Sequence, residues 1–155
     1  MLRKLRIAFC LLAGLSMLRQ TPAQVNDRFV VLPQREGKQL PLCSRAGPKV
    51  AGTWDPLVQD ILNLESHLGG IAKLKAHGSI SGVQIAHPEE FTRQYLGIVV
   101  DGKRQIYVNA FPRGMVSAGW REKFVTICDG GAGVWGILYD PQTGVFSDLE
   151  TNGLA

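Results

Sequence analysis

Two residues, Asp101 and Gly102, constrain the fold of this chain more than any other local feature. They separate two runs rich in strand-forming residues, residues 96–100 and 104–111. An Asp-Gly pair favours a type I′ turn, because both central residues of that turn need positive φ, and the twist of this turn matches that of two antiparallel strands. The pattern therefore predicts a two-residue β-hairpin.

Further strand patterns lie on both sides of this hairpin. Three follow it, at residues 124–128, 134–140 and 145–149, and a short one precedes it at residues 28–32. The connections between the last three are short and rich in Gly, Asp and Pro, as is typical of antiparallel neighbours. The second half of the chain is thus predicted to form an antiparallel meander of about five strands.

One helix is predicted before the meander, at residues 56–68. Asp55 is a suitable N-cap, Pro56 fits the first helical position, and Gly69-Gly70 favour an end to the helix. One apolar stripe follows helical spacing and consists of Leu57, Ile61, Leu64 and Leu68. This stripe is predicted to pack on the sheet.

The fold class follows from this order of elements. A single main helix packed on an antiparallel meander of about five strands is an α+β domain with two layers, in which one face of the sheet holds the helix and the other is free. Residues 71–92 show no consistent periodicity and are interpreted mostly as loop.

Residues 1–23 have the layout of a secretory signal peptide. The basic residues of this stretch that precede its apolar run are Arg3, Lys4 and Arg6. The apolar run at residues 7–18 is shorter than the ~20 residues that span a bilayer as a helix. We predict cleavage after Ala23 and an exported protein, periplasmic or secreted, with no stable membrane span; an uncleaved anchor is the alternative.

The remaining chain divides into an extended N-terminal arm, residues 24–53, and the α+β domain, residues 54–155. Its charge is balanced: four of the 17 basic residues and none of the 13 acidic residues lie in residues 1–23, which accounts for the net charge of +4. A formally neutral mature chain predicts no nucleic-acid partner, because such binding depends on neutralising phosphates.

Two cysteines, Cys43 and Cys128, remain after the predicted cleavage. Export allows them to pair, and the resulting bridge would anchor the arm beside the loop that begins at Asp129. A buried Cys128 with a free, exposed Cys43 is the alternative, since the sequence does not supply the Cα separation that decides between them.

A series of short motifs runs through the C-terminal part of the chain. They are Arg93-Gln94-Tyr95-Leu96-Gly97, Ile106-Tyr107-Val108-Asn109-Ala110-Phe111, Cys128-Asp129-Gly130-Gly131, Trp135-Gly136, Tyr139-Asp140, Phe146 and Asn152-Gly153. Over residues 92–153 this pattern resembles a family of small exported bacterial proteins of uncharacterised function. The resemblance implies export and a single domain, and it carries neither an activity nor a catalytic residue.

Aromatic and polar side chains of two predicted strands form the main candidate binding surface. Tyr107 and Asn109 share one face of the second hairpin strand, and Trp135 and Tyr139 share one face of a later strand. If they collect on the free face of the sheet, they would bind a ligand with large contact area at low entropic cost. In the alternative, Trp135, Ile137 and Tyr139 are core residues under the helix.

Asp129 is the other candidate residue, because it opens a glycine-rich loop, residues 129–133. A phosphate-binding loop would need a helix after it, and here a strand is predicted. Carboxylates that could supply a glycosidase-like pair are Glu89, Glu90, Asp129, Asp140 and Asp148. The histidines, at positions 67, 77 and 87, lack metal-ligand spacing.

These patterns favour a small exported module that binds a protein, peptide or envelope component, without enzymatic activity, cofactor or metal. The alternative is a small hydrolase-type enzyme that uses the Asp129 loop.

Overall fold

The structure is a computed structural model and describes residues 27–154, so the predicted signal peptide and its cleavage site after Ala23 lie outside the described residues. The strands are β1 (Phe29–Val31), β2 (Gly52–Thr53), β3 (His77–Gly78), β4 (Thr92–Val100), β5 (Lys103–Phe111), β6 (Trp135–Asp140) and β7 (Val145–Thr151). The α-helices are α1 (Gln34–Gly37) and α2 (Val58–His67). Shorter 3-10 helices are Leu68–Lys73, which continues α2, Pro88–Glu90, Arg113–Met115 and Gly131–Gly133.

The predicted hairpin is confirmed and forms the centre of the sheet. β4 and β5 pair antiparallel along their whole length, and Val100 opposes Lys103 at the turn. Asp101 and Gly102 have φ values of 48° and 75°, the positive values that a type I′ turn requires. β6 and β7 extend the sheet antiparallel from β5, close to their predicted bounds.

The predicted fold class, one main helix on an antiparallel meander of five strands, is wrong. Seven strands form one curled, mixed half-barrel sheet in the order β1-β4-β5-β6-β7-β3, with β2 also paired to β4. β1 pairs with β4 and β3 pairs with β7 in parallel. These two- and three-residue strands are too short to show periodicity, and their parallel partners are distant in sequence, so local patterns could not predict the pairing.

The predicted strand at residues 124–128 is irregular chain instead. Its backbone groups are hydrogen-bonded to side chains: Gln94 Oε1 accepts from Val125 N–H at 2.9 Å, and Asn109 Nδ2 donates to Val125 O at 2.9 Å. Glu36 accepts from Phe124 N–H. Because these partners satisfy the backbone, the segment needs no neighbouring strand.

The predicted helix forms two residues later than expected. Leu57 is the N-cap, and its N–H donates to Asp60 Oδ2 at 2.8 Å, while Asp55 instead accepts a hydrogen bond from Gln34. Gly69-Gly70 do not end the helical path, which continues as the 3-10 helix Leu68–Lys73. The predicted stripe is buried at Ile61, Leu64 and Leu68, but Leu57 is 70% exposed.

Both faces of the sheet are covered, so the free face expected from the sequence does not exist. On the first face α2 packs against a core that includes Tyr95, Val108, Trp135, Ile137 and Tyr139. On the second face residues of the N-terminal segment and of the segment after β5 cover a smaller core. The residues of that second core and those packed against it are Leu32, Leu96, Ile98, Tyr107, Leu138, Val30, Leu40, Leu42, Val50, Val100 and Phe124.

The predicted disulfide is confirmed: Cys43 and Cys128 are bonded, with their Cα atoms 4.8 Å apart. The bridge joins the two segments that cover the second face. Among residues 27–154, no helix is long and apolar enough to cross a membrane.

Candidate functional site

Trp135 and Tyr139, two of the predicted binding residues, lie in the first core under α2. They are 0% and 1% exposed. Trp135 meets Phe91 edge to face, with ring centroids 5.4 Å apart, and Tyr139 packs against Phe146. The structure therefore places both where the alternative interpretation put them, in the core.

Tyr107 and Asn109 lie on the second face, where Arg45 covers them. Arg45 is 8% exposed and directs each of its three nitrogens to a different oxygen acceptor. Nε donates to Tyr107 Oη at 3.1 Å, Nη2 to Asn109 Oδ1 at 2.6 Å and Nη1 to Asn152 Oδ1 at 2.5 Å. This one guanidinium therefore connects β5, the C-terminal segment and the arm.

The amide groups around Arg45 continue the network into the segment after β5. Asn109 Nδ2 donates to Gln94 Oε1 at 2.9 Å, and Gln94 Nε2 donates to the carbonyl oxygens of Trp120 and Lys123. Asn152 Nδ2 donates to Ile127 O and, at 3.0 Å, to Asp129 O. Buried side-chain amides thus hold the backbone of an irregular segment in place, on both sides of the disulfide.

Asp129 itself is exposed, and several backbone N–H groups of its loop already donate hydrogen bonds within the protein. Gly131 N–H donates to Gly153 O at 3.0 Å, and the N–H groups of Gly133 and Val134 donate to carbonyl oxygens within the loop. An anion would need those same N–H groups to point outward. These three N–H groups are therefore not free to bind an anion.

A groove of about 370 Å³ opens on the second face, beside Arg45. Tyr107, Gly136 and Leu138 line it from the sheet, and residues 46–49 of the arm line its other side. A Cβ atom on Gly136 would overlap the Tyr107 hydroxyl and lie 3.0 Å from Arg45 Nε. Only glycine leaves room for these two side chains above the sheet, which explains the glycine at this position.

The rim of the groove is mainly acidic. Asp101, Asp148 and Glu150 line it, with Lys49 as the one cation among the lining side chains. Glu150 lies opposite Gly136 across the β6–β7 ladder. Its Oε2 atom is buried and has no hydrogen-bond partner among the described residues.

Burial raises the pKa of the Glu150 carboxyl, because the charged form loses hydration in the groove. The positive charge of Arg45 opposes this rise, and the negative charge of Asp148 adds to it. Burial likewise raises the pKa of Tyr107, again against the effect of Arg45. The groove therefore combines a partly buried carboxyl group with a neutral phenol.

Asp148 owes its position to an irregularity in β7. The pairing with β6 shifts between Gly136–Glu150 and Leu138–Ser147, so β7 contains one extra residue there. Asp148 has a φ of 54°, a left-handed conformation that aspartate tolerates better than most residues. A bulge in this position redirects the side chain and places it on the rim of the groove.

A second buried arginine, Arg93, has a structural role. It is 2% exposed and forms an ion pair with Glu65 of α2 at 3.2 Å, and it also donates to Tyr95 Oη at 2.8 Å. Burial raises the pKa of Tyr95 well above its usual value. This cluster joins α2 to β4.

The candidate carboxylates of the sequence are dispersed. Asp140 accepts from Gln142 N–H in the β6–β7 turn. Glu89 and Glu90 lie with His87 just before β4, as an exposed group whose ligand atoms are within 4.8 Å of one another. Within residues 27–154 that is the one group of three such side chains close enough to hold a metal. Asp148 alone of these candidates reaches the groove.

Sequence reasoning identified Tyr107 but missed Arg45, Gly136 and Glu150. Arg45 lies in an irregular segment, where no periodicity indicates burial, and its partners are 62 to 107 positions away. The Trp135-Gly136 pair was a usable signal, because a glycine inside a strand indicates close approach of another group.

Comparison of the chain with protein-family models, with curated proteins and with solved structures found no match.

Proposed function

We propose that this protein is a small exported, non-enzymatic binding module whose ligand occupies the groove beside Arg45. The single observation that supports the proposal is the architecture of the groove. It opens between the sheet and residues 46–49 of the arm, and Arg45 and Gly136 fix the position of Tyr107 in its floor. A site held rigid from beneath is what a binding function needs.

Export is supported by the cysteines. Cys43 and Cys128 form a disulfide and both are exposed, so the reductants of a cytosolic compartment would reach the bridge. The predicted signal peptide and the resemblance to small exported bacterial proteins point the same way.

The size of the groove also suits a binding role. Pockets for small molecules usually have volumes of about 300 to 1,000 Å³, and this one, at about 370 Å³, takes a small ligand or one side chain of a larger partner. The hydrolase alternative gains no oxyanion-binding donors from Gly131 and Gly133 of the Asp129 loop, because their N–H groups already donate to carbonyl oxygens.

The test is a binding screen read by ¹H–¹⁵N NMR on the oxidised protein. The panel contains small neutral, anionic and cationic compounds, each at the same concentration. We expect at least one of them to shift the amide signals of Gly136 and Glu150. The variant Ala46→Trp should abolish these shifts by filling the groove from its exposed rim, and Ala51→Trp, on the same arm but outside the groove, should retain them.

Two outcomes would overturn the proposal. The first is that no compound shifts the groove signals. The second is that the shifts persist unchanged in Ala46→Trp, which would place the binding elsewhere.

A further inference from the structure

The Cys43–Cys128 disulfide lies at the surface, although the two segments that it joins cover a core. Both residues are exposed, and neither belongs to a helix or a strand. Thiol–disulfide exchange begins when a thiolate reaches a sulfur of the bridge, so exposed bridges are the ones that react in the folded state. A thiol can therefore approach this bridge without unfolding the sheet.

The backbone of the arm beside Cys43 has little attachment of its own to the rest of the protein. Within the described part of the chain, the one backbone–backbone hydrogen bond that involves residues 39–50 is local, from Leu42 N–H to Leu40 O at 2.8 Å. This stretch runs as irregular chain between α1 and β2. Segments of this kind open locally at a small cost in free energy while the core of the protein stays folded.

Side-chain hydrogen bonds supply the other attachments of this stretch, and they are concentrated around the bridge. Thr126 Oγ1 donates to Pro41 O at 3.0 Å, and Ser79 Oγ donates to Ser44 O at 2.8 Å. Arg45 adds its three hydrogen bonds to the sheet and the C-terminal segment. Without the covalent bond, only these hydrogen bonds and a few partly buried apolar side chains hold the stretch on the second face.

The same stretch of chain builds one side of the groove. Residues 46–49, which line the groove from the arm, begin three positions after Cys43. Arg45, which holds Tyr107 over Gly136, lies two positions after it. When this part of the arm leaves the sheet, it takes away the wall of the groove and the hydrogen bond that fixes its floor.

We infer that the Cys43–Cys128 disulfide is a redox switch, which a dithiol opens to release residues 39–50 as a loop while the sheet stays folded. The dithiol is of the kind that a thiol–disulfide oxidoreductase carries as a pair of cysteines. This inference goes beyond the proposed function, because the release of the loop does not depend on what the groove binds.

The exchange runs in two steps. A thiolate of the dithiol attacks one sulfur of the bridge, the bond between the two Sγ atoms breaks, and the other cysteine leaves as a thiolate. The second thiol of the dithiol then displaces the first cysteine from the mixed disulfide. Two electrons and two protons pass in total, so that Cys43 and Cys128 end as thiols and the dithiol ends as a disulfide.

The first measurement is the rate at which dithiothreitol reduces the bridge, followed by alkylation and mass spectrometry. The rate is compared between the folded protein and the protein unfolded in urea, at the same pH. We expect the folded protein to react no more than about a hundredfold more slowly than the unfolded one. A larger ratio would show that the fold protects the bridge, and it would overturn the inference.

The second measurement is limited proteolysis with trypsin, before and after reduction. Trypsin cleaves after Arg45 only when this buried side chain leaves its partners, and the rate of cleavage then follows the population of the open form. We expect reduction to speed this cleavage about tenfold or more. Cleavage after Lys103 and Arg104, exposed residues at the start of β5, is the control and should stay slow in both states.

The double variant Cys43→Ser, Cys128→Ser separates the bridge from other effects of the reductant. We expect trypsin to cleave it after Arg45 as fast as it cleaves the reduced protein, with or without dithiothreitol. Cleavage of the variant at the rate of the oxidised protein would overturn the inference, as would a reduced protein that is cleaved after Arg45 no faster than the oxidised one. A parallel rise of cleavage after Lys103 and Arg104 would also overturn it, because the bridge would then hold the whole fold together rather than one loop.

Discussion

Replacing Arg45 by Met tests how strongly the Arg45 hydrogen bonds stabilise the segments that cover the second sheet face. Methionine fills the space of the aliphatic stem but supplies no donor. The substitution leaves Asn109 Oδ1 and Asn152 Oδ1 without the hydrogen bonds that Arg45 donates at 2.6 and 2.5 Å. Tyr107 Oη also loses the hydrogen bond that Arg45 Nε donates at 3.1 Å, which holds the ring over Gly136.

The expected loss of stability follows from those two amide oxygens. A buried acceptor that loses its donor costs about 1 to 3 kcal/mol, so Arg45→Met should lower the free energy of unfolding by about 2 to 6 kcal/mol. A domain of this size is stable by only about 5 to 15 kcal/mol, so this loss takes a large share of the total.

The measurement is urea unfolding followed by tryptophan fluorescence, on oxidised protein. Arg35→Met is the matched control, because the Arg35 side chain is 68% exposed and its removal should change stability by less than about 0.5 kcal/mol. A loss below about 0.5 kcal/mol for Arg45→Met as well would refute the reasoning, since it would mean that water or other donors satisfy the amides equally well.

Three further predictions concern the same face. Removing the disulfide with Cys43→Ala and Cys128→Ala should cost about 4 to 5 kcal/mol in denaturant unfolding, because the bridge closes a loop of 85 positions; equal stability of the oxidised protein and the double variant would contradict this. Gly136→Ala should cost about 1 to 3 kcal/mol through overpacking, while Gly69→Ala, which has open space around it, should change the melting temperature little. Glu150→Gln should raise the melting temperature at neutral pH, because the raised pKa of Glu150 means that its charged form destabilises the fold. As the pH falls, Glu150 becomes protonated and its own destabilising contribution disappears, so the advantage of the variant should vanish in acid; an advantage that persists or grows in acid would contradict the assignment.

The hairpin could be predicted from the sequence because its information is local. Asp101 and Gly102 specify the turn, and the strands beside it follow directly along the chain. The same holds for α2, whose apolar spacing places Ile61 and Leu64 in the core.

Residues 124–128 show why the rest of the fold could not be predicted this way. Their aromatic and β-branched residues are typical of a strand, yet the backbone is held by Gln94 and Asn109, side chains 16 to 31 positions earlier. Nothing in the segment itself distinguishes a backbone partner from a side-chain partner. A free sheet face was predicted for the same reason. The segments that cover the second face are irregular chain, and no local pattern indicates that they pack there.

The candidate site was harder still to predict from the sequence, since it depends on contacts between segments that are distant along the chain. Arg45 and Glu150 are 105 positions apart in a chain of 155 residues, and neither lies in a motif that predicts binding. Tyr107 could be selected as an aromatic residue on the correct strand face, but its burial under Arg45 depends on the path of the arm.

The most direct test of the account is the NMR signal of the Arg45 Nε–H group, assigned by its loss in Arg45→Met. We predict that this proton is protected from exchange with solvent, because it donates to Tyr107 Oη in the floor of the groove. We also predict that its signal shifts when a compound that shifts the Gly136 and Glu150 amide signals saturates the protein. Exchange as fast as that of the exposed Arg35, or a signal that stays fixed while the ligand binds, would contradict the claim that Arg45 builds the floor of a binding groove.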